Sequence, residues 1–109
     1  MARRLPLLIV KGCLPNGGGP LLDFDYGDMF EALLRHAPQG KGLNLDEVIR
    51  CVAAIGTLDA ARKARAEEVK FPEEEWRTLR EKLDGFTFAF ADKVIADFGL
   101  AIRQAEEIT

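Results

Sequence analysis

The sequence predicts a helix-rich α+β fold, with an N-terminal β-hairpin packed on a bundle of four to five helices. Three observations lead there. An aliphatic run near the N-terminus breaks into a glycine-rich loop and resumes. From Met29 onward apolar residues recur at helical spacing, three or four positions apart. Residues that cap or stop helices stand between the periodic stretches.

Composition supports a folded chain. Its 109 residues are 48% apolar and 30% charged, which suits one packed core rather than two. A single compact domain over 1–109 is expected, divided into a hairpin at 5–24 and a helical part at 25–109.

In order along the chain, Leu7 to Val10 is strand-like, and Lys11 to Pro20 supplies a reversing loop. Asn16-Gly17 and the run Gly17, Gly18, Gly19 offer the positive-φ positions that such a loop needs. Leu21 to Phe24 then returns. Asp25 is placed to cap a helix over Tyr26–Ala37, whose Met29, Phe30, Leu33 and Leu34 share a face. Pro38, Gly40 and Gly42 end it.

Asn44 with Glu47 three residues later forms a capping box, opening a second helix. Leu45, Val48, Ile49, Val52 and Ile55 make its expected buried stripe, opposite Arg50. Gly56-Thr57 weakens the pattern, so a break is expected there, with Thr57 capping a short helix over Leu58–Glu67. Val69-Lys70-Phe71 reads as an extended link, because Pro72 biases Phe71 away from helical geometry. Pro72 at the first helical position, followed by Glu73, Glu74 and Glu75, opens a helix with Trp76, Leu79 and Leu83 inside. Asp84-Gly85 is expected to end it with a left-handed residue. Phe86, Phe88 and Phe90 alternate like a strand. Val94, Ile95, Phe98 and Ile102 nevertheless continue a longer helical period, predicting a last helix over Thr87–Glu107 buried against Leu33, Val48, Ile49, Val52 and Leu79.

Function classes narrow by missing parts. Net charge is −3, from 15 basic and 18 acidic residues, so strong non-specific attraction to nucleic acid is not expected. No run free of glycine and charge exceeds the six residues of Leu5–Val10, far short of the roughly 20 that span a bilayer. Arg3 and Arg4 before that run imitate a signal peptide. The run stops at Lys11-Gly12 with no cleavage site, and the segment reads as mature sequence. Cys13 and Cys51 are the only thiols, and reduced thiols in a cytoplasmic protein are the expectation.

The candidate chemical groups each have a plainer reading. The glycine run lacks the Lys-Ser/Thr that completes a phosphate loop, since Pro20-Leu21-Leu22 follows it. His36 has no serine to activate, because the chain contains none, and Thr57, Thr78 and Thr87 have no activating neighbour. Asp23, Asp25 and Asp28 superficially resemble a calcium loop, but its twelfth position falls on Leu34, which has no oxygen to give. No enzyme activity, cofactor or metal is expected. Arg62, Lys63 and Arg65 form a basic surface without interleaved aromatics, read as a solvated helix face. Gly17, Gly18, Gly19, Trp76, Phe86 and Phe88 remain as candidates for touching a partner, with Trp76 read as core first and interface second. Seven Phe, one Trp and one Tyr are many for a domain this small. A homodimer through Phe86, Phe88 and Trp76 is therefore expected.

The order of elements resembles a broad group of small, mostly uncharacterised bacteriophage and prophage proteins. The likeness runs over about residues 5 to 108. It rests on the glycine-loop hairpin, Met29-Phe30-Glu31-Ala32-Leu33-Leu34, Leu43-Asn44-Leu45-Asp46-Glu47, Val69-Lys70-Phe71-Pro72-Glu73-Glu74-Glu75-Trp76 and the final amphipathic helix. Pro72 stands where a hydroxyl cap would be usual. The resemblance implies a small accessory protein that works by binding a host or virion protein, and it transfers no catalytic residue; a non-enzymatic binding module that inhibits a host or defence complex is the expectation. A morphogenesis or assembly factor, which would bind virion proteins, and a small nucleic-acid-binding regulator are the alternatives.

Overall fold

The computed structural model describes every residue except Asn16, Gln39 and Thr109. The chain is mixed, with helices and small antiparallel sheets packed together. Its elements are β1 (Ala2–Pro6), β2 (Ile9–Leu14), β3 (Leu22–Asp25), α1 (Tyr26–Arg35), α2 (Leu45–Lys63), β4 (Glu68–Pro72), α3 (Glu73–Asp84), α4 (Lys93–Arg103) and β5 (Glu106–Ile108). No helix among the described residues is long and apolar enough to cross a membrane.

The strands differ most from the sequence expectation. The hairpin exists as β2 with β3, Val10 pairing with Phe24 and Leu14 with Leu22. Its register slips between Val10 and Leu14, around Gly12 at φ +55°, as a bulge requires. Leu5 is not part of it. It belongs to β1, the central strand of a separate antiparallel sheet ordered β4-β1-β5. The segment expected to be a mere link is β4, and the tail assigned to the last helix is β5. Alternation explains both. Leu5 of β1 and Val69 and Phe71 of β4 are buried, with Leu5 opposite Val69. On the other face Arg4 pairs with Glu68 (3.1 Å) and Glu106 (3.7 Å). Glu106 is taken out of the helix by its backbone pairing with β1, and the cross-strand charge of Arg4 accompanies that pairing.

The helices follow their caps. Asp25 accepts the Asp28 backbone N–H, and the Asn44–Glu47 capping box is complete in both directions. α1 ends at Arg35, two residues before the expected Ala37. α2 runs unbroken through Gly56. A mid-helix glycine costs only about 1 kcal/mol, and the Thr57 hydroxyl, expected as a cap, instead donates to Glu75 (2.6 Å), tying α2 to α3. Pro72 is the N-cap residue of α3 rather than its first helical residue. Gly85 closes α3 at φ −92°, not in the left-handed region. α4 starts at Lys93, capped by Asp92, whose carboxylate accepts the Val94 N–H; residues 86–91 form neither strand nor helix.

The core gathers from both sheets and all four helices. Phe98 is its centre. Its ring stacks on Phe30 at 5.2 Å and meets Phe24 and Tyr26 edge-on at 5.3 and 5.0 Å. Val94, Phe98, Ile102, Leu33 and Leu79 are buried as expected, whereas Ile95 is half-buried. Of the expected stripe of α2 only Ile55 is buried. Cys51, Ala54, Ile55 and Leu58 face inward, and Leu45, Val48, Ile49 and Val52 face solvent.

Candidate protein-binding surfaces

The candidate chemical groups are engaged in local contacts. Asp23 accepts the Gly12 N–H (2.9 Å) and pairs with Lys11 (3.2 Å); these two contacts, the backbone one first, hold its carboxyl below the usual range. Asp25 caps α1, and Asp28 binds Arg62 at 2.6 Å. The three aspartates thus point at separate partners, and no group of three or more potential metal ligands occurs among the described residues.

His36 lies against Phe86, its ring centroid 5.0 Å away, beside a cavity of about 160 Å³ that Cys51 and Lys82 also line. Lys82 donates to the His36 carbonyl oxygen at 2.7 Å. Burial pushes the Cys51 thiol up from its ordinary range, so it stays protonated at neutral pH and is a poor nucleophile. Cys13 and Cys51 are both free thiols. The Thr78 hydroxyl donates to the Glu74 carbonyl oxygen one turn back.

The candidate contact residues separate into three places. Gly17, Gly18 and Gly19 are exposed at the hairpin tip, the first two at φ +49° and +91°, with open space where a Cβ would go. The Asn16 half of the expected Asn-Gly turn lies outside the described residues. Arg62 turns toward Asp28, while Lys63 and Arg65, the latter at φ +53° just past the helix, are exposed. Trp76 belongs to the core. It is buried, its indole N–H donates to the Ile102 carbonyl (2.8 Å), and the Arg3 guanidinium covers its ring at 4.1 Å. It is therefore withdrawn from the expected dimer contact, because a ring capped by Arg3 has no face to offer.

Phe86 and Phe88 do come together, with centroids 4.9 Å apart. With Leu83, Ile95, Gly99 and Leu100 they line an open groove of about 470 Å³ between α3 and α4. The Arg103–Asp84 ion pair (2.9 Å) stands at its rim. The exposed Leu100 projects from the α4 side.

One surface escaped the sequence reading altogether, the outer face of α2. Leu45 is 73% exposed, Val48 39%, Ile49 57% and Val52 60%. A signal was present. Cys51, Ala54, Ile55 and Leu58 form a second apolar stripe on the same helix, and a helix apolar on two faces needs a partner for each. With these surfaces in view, comparison with known proteins places the chain beside none of them: no family model, no curated protein and no solved structure matches it.

Proposed function

We propose that the chain is a non-enzymatic protein-binding module that receives an apolar side chain of its partner in the groove of Phe86, Phe88, Ile95 and Leu100. The observation that carries this reading is the groove itself, an apolar lining left open to solvent beside a charged rim. Its chemistry suits a hydrophobic anchor seated in an apolar pocket with polar groups at the rim, the arrangement of an interface core. The engagement of Asp23, Asp28, His36 and Cys51 in structural roles supports binding over catalysis. The order-of-elements resemblance to phage and prophage accessory proteins supports a host or defence complex as the target, with inhibition as the outcome of occupying it.

The test is a pull-down from bacterial lysate with the wild-type chain and with Leu100→Glu. Leu100 is 47% exposed, so a charge there leaves the core alone. The wild type is expected to retain one protein in stoichiometric amount and the variant to lose it. Failure to recover such a protein, or equal recovery by the variant, refutes the reading.

A further inference from the structure

We propose that the outer face of α2 binds a second copy of this chain, the two helices packing antiparallel about a two-fold axis that passes between Val52 and Ala53. This surface is distinct from the aromatic groove, and the inference stands independently of it. The inner face of α2 is already spent on the core through Cys51, Ala54, Ile55 and Leu58, so Leu45, Val48, Ile49 and Val52 have no cover within the chain. Four large aliphatic side chains at helical spacing on one exposed face form a contiguous apolar patch, which marks an interface.

Shape within the face selects the occupant. Its N-terminal half carries the large residues Leu45, Ile49 and Val52. Its C-terminal half continues along the same line with the exposed small residues Ala53, Gly56 and Ala60. A Cβ built on Gly56 meets nothing, so that half is a shallow trough. In an antiparallel pair centred between Val52 and Ala53, Leu45 of one copy lies level with Ala60 of the other, Ile49 with Gly56, and Val52 with Ala53. Each large side chain thereby meets a hollow. A parallel pair would set large against large and hollow against hollow. The two halves of one face complement each other, which a foreign partner has no reason to require and a self-complementary two-fold interface does.

Charge agrees with the same arrangement. α2 has Asp46 and Glu47 in its first turn and Arg62 and Lys63 in its last. Antiparallel packing carries the exposed Lys63 of each copy toward the acidic first turn of the other and opposes the two helix dipoles. The line from Leu45 through Ile49, Val52, Gly56 and Ala60 is itself uncharged, with the half-buried Asp59 at its margin three residues beyond Gly56. A single helix face lies at the small end of stable interfaces, so the dimer should dissociate on dilution.

Sedimentation of the full chain from roughly 1 μM to 1 mM tests this. The wild type is expected to rise from 12.1 kDa toward twice that mass. Ile49→Lys and Gly56→Leu are expected to remain monomeric throughout with wild-type circular dichroism, because neither position is buried in the monomer. In a Cys13→Ser background, Val52→Cys, beside the axis, is expected to crosslink under mild oxidation, while Leu45→Cys, far from it, does not. A wild type that is monomeric at every concentration overturns the proposal. So does a dimer that survives both substitutions, one dissolved by Leu100→Glu but not by Ile49→Lys, or crosslinking at Leu45→Cys as complete as at Val52→Cys.

Discussion

Phe98 shows how much one residue can hold. It is fully buried and touches the rings of Phe24, Tyr26 and Phe30, joining the hairpin exit, α1 and α4. Phe98→Ala should cost about 3–5 kcal/mol, from lost transfer energy plus the cavity left among rigid rings. Urea unfolding would measure it, and a loss below about 1 kcal/mol would show a core able to collapse around the gap. Cys51 gives a second prediction at this scale. Its thiol is 3% exposed and held protonated by desolvation, whereas Cys13 on the hairpin is half-exposed. Native protein treated with iodoacetamide should therefore be alkylated at Cys13 first, with Cys51 reacting only on unfolding. Peptide mass spectrometry reads the order directly.

Among the elements, α2 tests the weight of local propensity. Gly56-Thr57 favours a break, yet the helix continues for 19 residues from Leu45 to Lys63. Cooperativity decides this: interior turns add hydrogen bonds at little further entropy cost, and Ala54, Ile55 and Leu58 are packed on both sides of the glycine. Gly56→Ala should stabilise the monomer by roughly 0.5–1 kcal/mol, since the added Cβ meets open space. Chemical denaturation at low protein concentration checks this, and a destabilised variant would mean that Gly56 needs a non-helical conformation. The caps, by contrast, were legible. Asp25, Asn44 and Glu47 act on neighbours three residues away, so sequence spacing alone specifies their hydrogen bonds. Phe86 to Phe90 resisted because two periodicities overlapped there. What decided the segment was Asp92 capping α4, which left Phe86 to pack on His36 and Phe88, and Phe90 exposed.

The whole molecule is drawn together by Arg3. From β1 its guanidinium reaches Glu73 of α3 (2.9 Å), the Ala105 carbonyl (3.1 Å), Glu107 of β5 (3.5 Å) and the face of Trp76. The hydrogen bond from Arg3, reinforced by the charges of Arg3 and Arg77, holds the Glu73 carboxyl below its ordinary value of 4.5. A depressed carboxylate stabilises the fold above the unfolded-state value, and that contribution is lost as pH falls through the folded-state value. Glu73→Gln should consequently lower the melting temperature at pH 7. The difference from wild type should shrink below pH 4.5 as Glu73 in the native chain protonates. Melting curves from pH 7 to about pH 3 would show the two converging; a gap independent of pH would mean that Glu73 acts through packing instead.

What the sequence determined by itself was local: helix starts at Asp25 and Asn44, a glycine-loop hairpin, and the inward faces of α3 and α4 around Leu79 and Phe98. These follow from contacts within a few residues, or from a single apolar stripe with only one place to go. Tertiary structure decided the rest. β1 became a central strand because β4 and β5, from distant parts of the chain, meet it on either side, and no local pattern encodes a pairing between Arg4 and both Lys70 and Glu106. α2 carries two apolar stripes, and only the packing of its neighbours settled which one is buried. Cys51, Ala54, Ile55 and Leu58 pack toward α1, α3 and β4, while Leu45, Val48, Ile49 and Val52, on the opposite side of the helix, were left outside.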